Sequence, residues 1–222
     1  MNVPTKISLS KFETELIQNK DWILTKRRII DKVYAVFAQC QTGYKDSLAD
    51  QKATIGEVDP QMAAKITKGE NYEGLPYVMM DYPAQFKKGH IIAIRTFFWW
   101  GHFFSISLHQ SGIRNQMKAH TAPKLAYLVK KKFFVCINDQ QWQHDFDTIN
   151  YLPADAIDDS KLGQILQRDF FKIAKKIPLN QWDQAPEFLT KTFVEMIQFL
   201  AINSPGGETD LSPGFPKVGF GL

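Results

Sequence analysis

Residues 95–109 read RTFFWWGHFFSISLH, six aromatic rings and two histidines around a single glycine. Whether this stretch is a membrane span, a helix or a hairpin decides the fold. The uncharged run that contains it, Thr96 to Ile113, approaches spanning length, yet it carries two His, three Ser, a Gln and two Gly. A bilayer core offers such groups no water, so the run is not read as a membrane helix. Aromatic and β-branched residues on either side of one glycine fit a β-hairpin instead.

Register then sorts the side chains, because a slip of one residue exchanges the two faces of a strand. A two-residue turn at Trp100-Gly101 would set Phe97 opposite Phe104 and Arg95 opposite Ile106, mixing charged and apolar groups. A three-residue connection, Trp100-Gly101-His102, gathers Ile92, Ile94, Thr96, Phe98, Phe104, Ile106 and Leu108 on one face, which reads as core. Gly101 supplies the positive φ that such a loop needs. The opposite face carries Ala93, Arg95, Phe97, Trp99, Phe103, Ser105, Ser107 and His109, with Arg95 across from Ser107 and Ala93 across from His109.

Arg95, Phe97, Trp99, Phe103, Ser105, Ser107 and His109 are the candidate ligand-binding residues. Rings, a guanidinium, hydroxyls and an imidazole on one surface can stack on a planar group and orient it by hydrogen bonds. The competing account is structural: a second layer covers this face, Arg95 pairs with Asp81 or another acid, and His109 is inert.

Outward from the hairpin, further β-prone runs are Leu75–Tyr82, leading in through prolines as an edge strand would, and Lys132–Asn138. Helical signals surround them. Ser10 and Glu13 form a capping box before a short helix, and apolar spacing predicts a longer one from Asp21 to about Gln41, ended by Gly43. Asp59-Pro60 would start a helix from Gln61 to Lys68 that Gly69 stops, and Thr121-Ala-Pro123 one that runs to about Lys131. Leu162, Ile165, Leu166, Phe170 and Ile173 share a stripe after Asp159-Ser160, predicting a helix that ends before Pro178, and a last helix covers about Pro186 to Ile202. The final stretch, SPGGETDLSPGFPKVGFGL, holds five glycines and three prolines and is read as an arm over 204–222, leaving 1–203 as one domain.

Composition bounds the function classes. With 222 residues and 44% hydrophobic residues, the chain can bury a substantial core. A net charge of +4, spread over separated basic clusters, falls short of the concentrated field of a nucleic-acid binder. Cys40 and Cys136 lie in apolar segments far apart in sequence, and MNVPTKISLSKFETEL has no apolar run after a basic start, so buried thiols in a cytoplasmic protein without a signal peptide are expected.

No cofactor or metal is implied. There is no HExxH, paired CxxC, Walker A loop, GxGxxG or GxSxG, and His144 with Asp145 and Asp147 reads as a capped turn rather than a ligand set. The sequence therefore predicts an α+β protein: a small, mainly antiparallel sheet of about four strands with a central aromatic hairpin, packed by several helices. Its function is read as a binding module for a small anionic or aromatic ligand on the mixed face. Two alternatives stay open, a hydrolase-type enzyme using His109 with a Ser hydroxyl, and a protein–protein contact at the hairpin tip that could make a homodimer.

Overall fold

The computed structural model describes residues 7–50, 61–87, 90–112 and 121–202. Among them the chain forms α1 (Lys11–Gln18), α2 (Lys20–Asp50), β1 (Lys65–Tyr72), β2 (Leu75–Lys87), β3 (His90–Trp99), β4 (Phe103–Ser111) and α3 (Thr121–Lys130). Then follow β5 (Phe134–Cys136), β6 (Tyr151–Pro153), α4 (Asp159–Gln167), β7 (Phe170–Pro178) and α5 (Ala185–Ala201). The sheet has seven strands in the order β1-β2-β3-β4-β7-β5-β6, every pairing antiparallel. The mixed helix-and-sheet class agrees with the sequence; the count of about four strands does not.

The hairpin adopts the three-residue connection. Trp99 pairs with Phe103, Arg95 with Ser107 and Ala93 with His109, and Gly101 sits at φ 76°. Ile94, Thr96, Phe98, Phe104, Ile106 and Leu108 are all buried, and they face α2 and α5. Val33, Phe37, Cys40 and Tyr44 from α2 meet Leu189, Phe193, Met196 and Ile197 from α5 above this surface. The one hydroxyl of that strand face finds a partner: Tyr44 Oη lies 2.9 Å from Thr96 Oγ1, and the Tyr44 ring stacks on Phe193 at 4.1 Å. Each buried Phe or Leu here contributes about 2–3 kcal/mol by removal from water, so this layer is where the fold gains most of its stability.

Several expectations about the elements are overturned. The predicted helix from Gln61 to Lys68 does not form: residues 61–64 are turn and irregular backbone and residues 65–68 begin the edge strand β1, while Asp59-Pro60 lie outside the described residues. The side chains of β1 are mostly exposed, so backbone pairing with β2 rather than a buried face determines its form. Gly69 is no helix stop: a Cβ there would lie 2.5 Å from the Tyr77 ring that crosses it. Since β1 takes the edge, β2 is an interior strand, with Pro83 accommodated at the irregularity between Asp81 and Ala84.

The predicted helix carrying Phe170 and Ile173 ends at Gln167, and Phe170–Pro178 is strand β7, inserted between β4 and β5. Both faces of β7 are covered from Phe171 to Ala174, so alternation disappears into a run of buried residues that spacing alone cannot distinguish from helix. Helix α2 also continues through Gly43 to Asp50. There the glycine lets α5 approach, since a Cβ would fall 2.9 Å from Thr190 Cγ2. Among the described residues no helix is long and apolar enough to cross a membrane.

Candidate functional site

The second face of the sheet follows from the same register. Asp81, Arg95, Ser107 and Ala174 form one cross-strand row; Ala93, His109 and Lys172 form the next; Phe97, Ser105 and Lys176 another. No helix of the described residues covers them. The segment 137–150, between β5 and β6, folds over the face together with Tyr72 from β1. The covering is held at several points. Tyr72 Oη accepts from the backbone N–H groups of His144 and Asp145 at 2.7 and 3.1 Å. Asp145 Oδ1 accepts from Asn150 Nδ2 at 2.6 Å and from Asp147 N at 3.1 Å. Asp145 and Asp147 thus cap their own turn, and among the described residues no group of three or more His, Cys, Asp or Glu is placed to hold a metal.

Arg95 lies beneath this segment in a bidentate pair with Asp81, Nε to Oδ1 at 2.7 Å and Nη2 to Oδ2 at 2.9 Å. Its remaining Nη1 donates to His144 Nε2 at 3.1 Å, and the imidazole stacks on Phe97 at 5.0 Å. The second buried cation is Lys172, 1% exposed, whose Nζ donates to the carbonyl oxygens of Gln141 at 3.2 Å and Gln143 at 2.6 Å. Burial brings its pKa down to about 7, with Arg95 pushing the same way and Cys136 and Asp145 opposing. Burial, then the charges of Lys172 and Arg95, holds His144 well below the usual histidine range.

His109 is also sealed in. The Trp142 and Phe170 rings meet it edge-on, Gln141 hydrogen-bonds to it, and its Nε2 has no partner among the described residues. Burial first, then Lys172 and Arg95, press its pKa down to about 4. Its charged neighbours are cations, and among the described residues no carboxylate orients the ring. Such an imidazole is neutral near pH 7 and is a poor general acid. Cys136 is buried and its thiol is pushed up by burial, which leaves little thiolate.

Of the seven sequence candidates, Arg95, Phe97, Ser105, Ser107 and His109 are therefore under the second layer. Trp99 and Phe103 alone reach the wall of a cleft of about 740 Å³ at the hairpin-tip end of that face. His102 stacks on Trp99 at 3.6 Å along its rim, and Phe146, Asn150 and Lys176 line it together with the acids Glu73, Asp145 and Asp147. The ammonium of Lys176 stands 4.8 Å from the Phe146 ring centroid and 5.5 Å from that of Phe103. No carboxylate of the described residues pairs with it, and burial lowers its pKa.

Sequence reasoning missed Lys172, Lys176 and the part played by His144. The two lysines sit in a segment taken as helix, and only the β7 register places them beside His109 and Ser105. No protein-family profile, curated protein sequence or solved structure matches the chain.

Proposed function

We propose that the chain is a binding module for a small planar ligand bearing one acidic group, taken up in the cleft between the hairpin tip and the 137–150 segment. The observation that carries this reading is Lys176, a cation ringed by Phe103, Phe134 and Phe146 and lacking an acid partner among the described residues. Glu73, Asp145 and Asp147 also line the cleft, and none of them pairs with Lys176; Asp145 and Asp147 accept from their own turn instead. Aromatic walls favour a flat body, and the ammonium favours a carboxylate or phosphate at its edge. Compared with the site expected from sequence, the ligand position moves from Arg95 and His109 to the open end of the same face.

Benzoate and phenyl phosphate, with phenol and benzylamine as neutral and cationic controls, test this by calorimetry and tryptophan fluorescence. The anionic probes should bind, and Lys176→Met should weaken them at least tenfold while leaving the thermal midpoint within a few degrees. Equal binding of the controls, or unaltered binding by the variant, would remove the reading. The catalytic alternative receives no support from His109, which has neither an orienting acid nor an accessible face.

A further inference from the structure

A charge-balance question arises beneath the covering segment, away from the cleft. His144 is held between two nitrogenous groups: Arg95 Nη1 is 3.1 Å from its Nε2, and Lys172 Nζ is 3.4 Å from its Nδ1. A guanidinium has only donors, so Nε2 must accept. A neutral imidazole has one acceptor nitrogen, so the proton resides on Nδ1 and points at Lys172. An ammonium there would set donor against donor. A neutral amine has two N–H donors and one lone pair, and the structure provides two carbonyl acceptors, Gln141 O and Gln143 O, plus one donor, His144 Nδ1–H. The inventory closes only for the uncharged form.

We propose that Lys172 and His144 form a charge-neutral latch, the amine accepting the imidazole Nδ1–H while donating to the Gln141 and Gln143 carbonyls, and that proton uptake by this pair releases the segment from the sheet. Protonating the amine fills its lone pair and sets N–H against N–H. Protonating the imidazole removes the acceptor that Arg95 uses. Either event also adds a positive charge to a buried cluster that already holds Arg95, whose charge Asp81 balances.

The groups facing Lys172 come from every packed element. They are Arg95 on β3, His109 on β4, Cys136 on β5, Tyr151 on β6, whose ring lies 5.6 Å from Nζ, and His144 and Asp145 on the covering segment. Cys136 and Tyr151 are held in their protonated, neutral forms by burial. Asp145, the one carboxylate of this set, is engaged by Asn150, Tyr72 and its own turn. It does not contribute a direct hydrogen bond to the lysine that would hold the ammonium in place.

The amine titrates at about 7 when latched and at an ordinary 10.5 when released. Linkage then makes release about tenfold easier for each pH unit lowered within that window, and further protonation at His144 adds to it below an ordinary histidine value. The test uses the whole chain without ligand. Nitrogen-15 NMR should find His144 as the Nδ1–H tautomer and Lys172 Nζ as a neutral amine at about pH 8.5, where latched amine predominates. Hydrogen exchange at the His144 and Asp145 amides, corrected for intrinsic rate, should give an opening constant that rises about tenfold per unit as pH falls from 8.5 to 7.5. In Lys172→Arg, where the charge is permanent, that slope should vanish. An Nε2–H tautomer, an ammonium signal throughout pH 7–9, or pH-independent opening in the wild-type chain would overturn the proposal, and none of these readouts depends on the variant folding.

Discussion

Arg95 shows how a residue's partners change what its substitution reports. Read from sequence as a ligand contact, it invites the expectation that Arg95→Ala abolishes binding and leaves stability nearly unchanged. In the folded chain its side chain is 14% exposed and Asp81's is 6% exposed. Removing the guanidinium strands a buried carboxylate and also takes a hydrogen bond from His144, so Arg95→Ala should cost about 3–5 kcal/mol in urea unfolding. Arg95→Met combined with Asp81→Leu removes both charges and should recover most of that loss. If the double variant is less stable than Arg95→Ala, the pair is a net stabiliser and this ordering is wrong. The pairing was legible only within the competing structural account, in which Arg95 pairs with Asp81 or another acid. The reach to His144 was not, because a contact separated by 49 residues depends on a loop path that local spacing does not encode.

Among the elements, legibility followed the alternation of polar and apolar side chains. The β3–β4 hairpin alternates core and polar side chains, so one register alone segregates them, and Gly101 marks the turn. Strand β7 is buried on both faces from Phe171 to Ala174, and Lys172 and Ala174 point to the side opposite Phe171, Ile173 and Ile177 without a regular polar-to-apolar rhythm. Phe170 and Ile173 then mimic a helical stripe. Glycine misled for a related reason, because a Gly that stops a helix and a Gly that admits a neighbour look identical in sequence. Gly43 distinguishes the two experimentally. Gly43→Ala gains up to about 1 kcal/mol of helix propensity but sets its Cβ 2.9 Å from Thr190 Cγ2. The substitution should therefore be neutral or destabilising alone, and stabilising when made in a Thr190→Ser background, which lacks that methyl. A double-mutant cycle by denaturant unfolding measures the coupling. Equal effects in both backgrounds would mean that helix approach does not depend on this contact.

For the whole molecule, the buried titratable groups set a stability profile with a maximum on the alkaline side. A base whose folded pKa is depressed carries fewer protons folded than unfolded, so stability climbs with pH between the folded and ordinary values. His109, at about 4 against an ordinary 6.5, makes stability rise across that interval, and His144 acts in the same direction. Lys172 continues the rise from about 7 toward 10.5. Acids held in their neutral form act oppositely, because the unfolded chain loses protons that the folded chain keeps. Cys40, pushed up to about 11 from 9.0, begins this loss, and Cys136 joins it. Tyr72, pushed up to about 12 from 10.0, follows with Tyr44, Tyr127 and Tyr151, all raised chiefly by burial. Lys124 and Lys176, also lowered by burial, add to the rise from Lys172, but these lysines are outweighed once several thiols and phenols titrate in the unfolded chain, so the thermal midpoint should increase from about pH 4 to a maximum between about pH 8 and 9.5 and then fall. Circular dichroism melts across that range measure it directly. A maximum at pH 6–7 with decline by pH 8 would mean that Lys172 keeps its proton in the folded state, and that the segment over the mixed face is held by an ammonium rather than an amine.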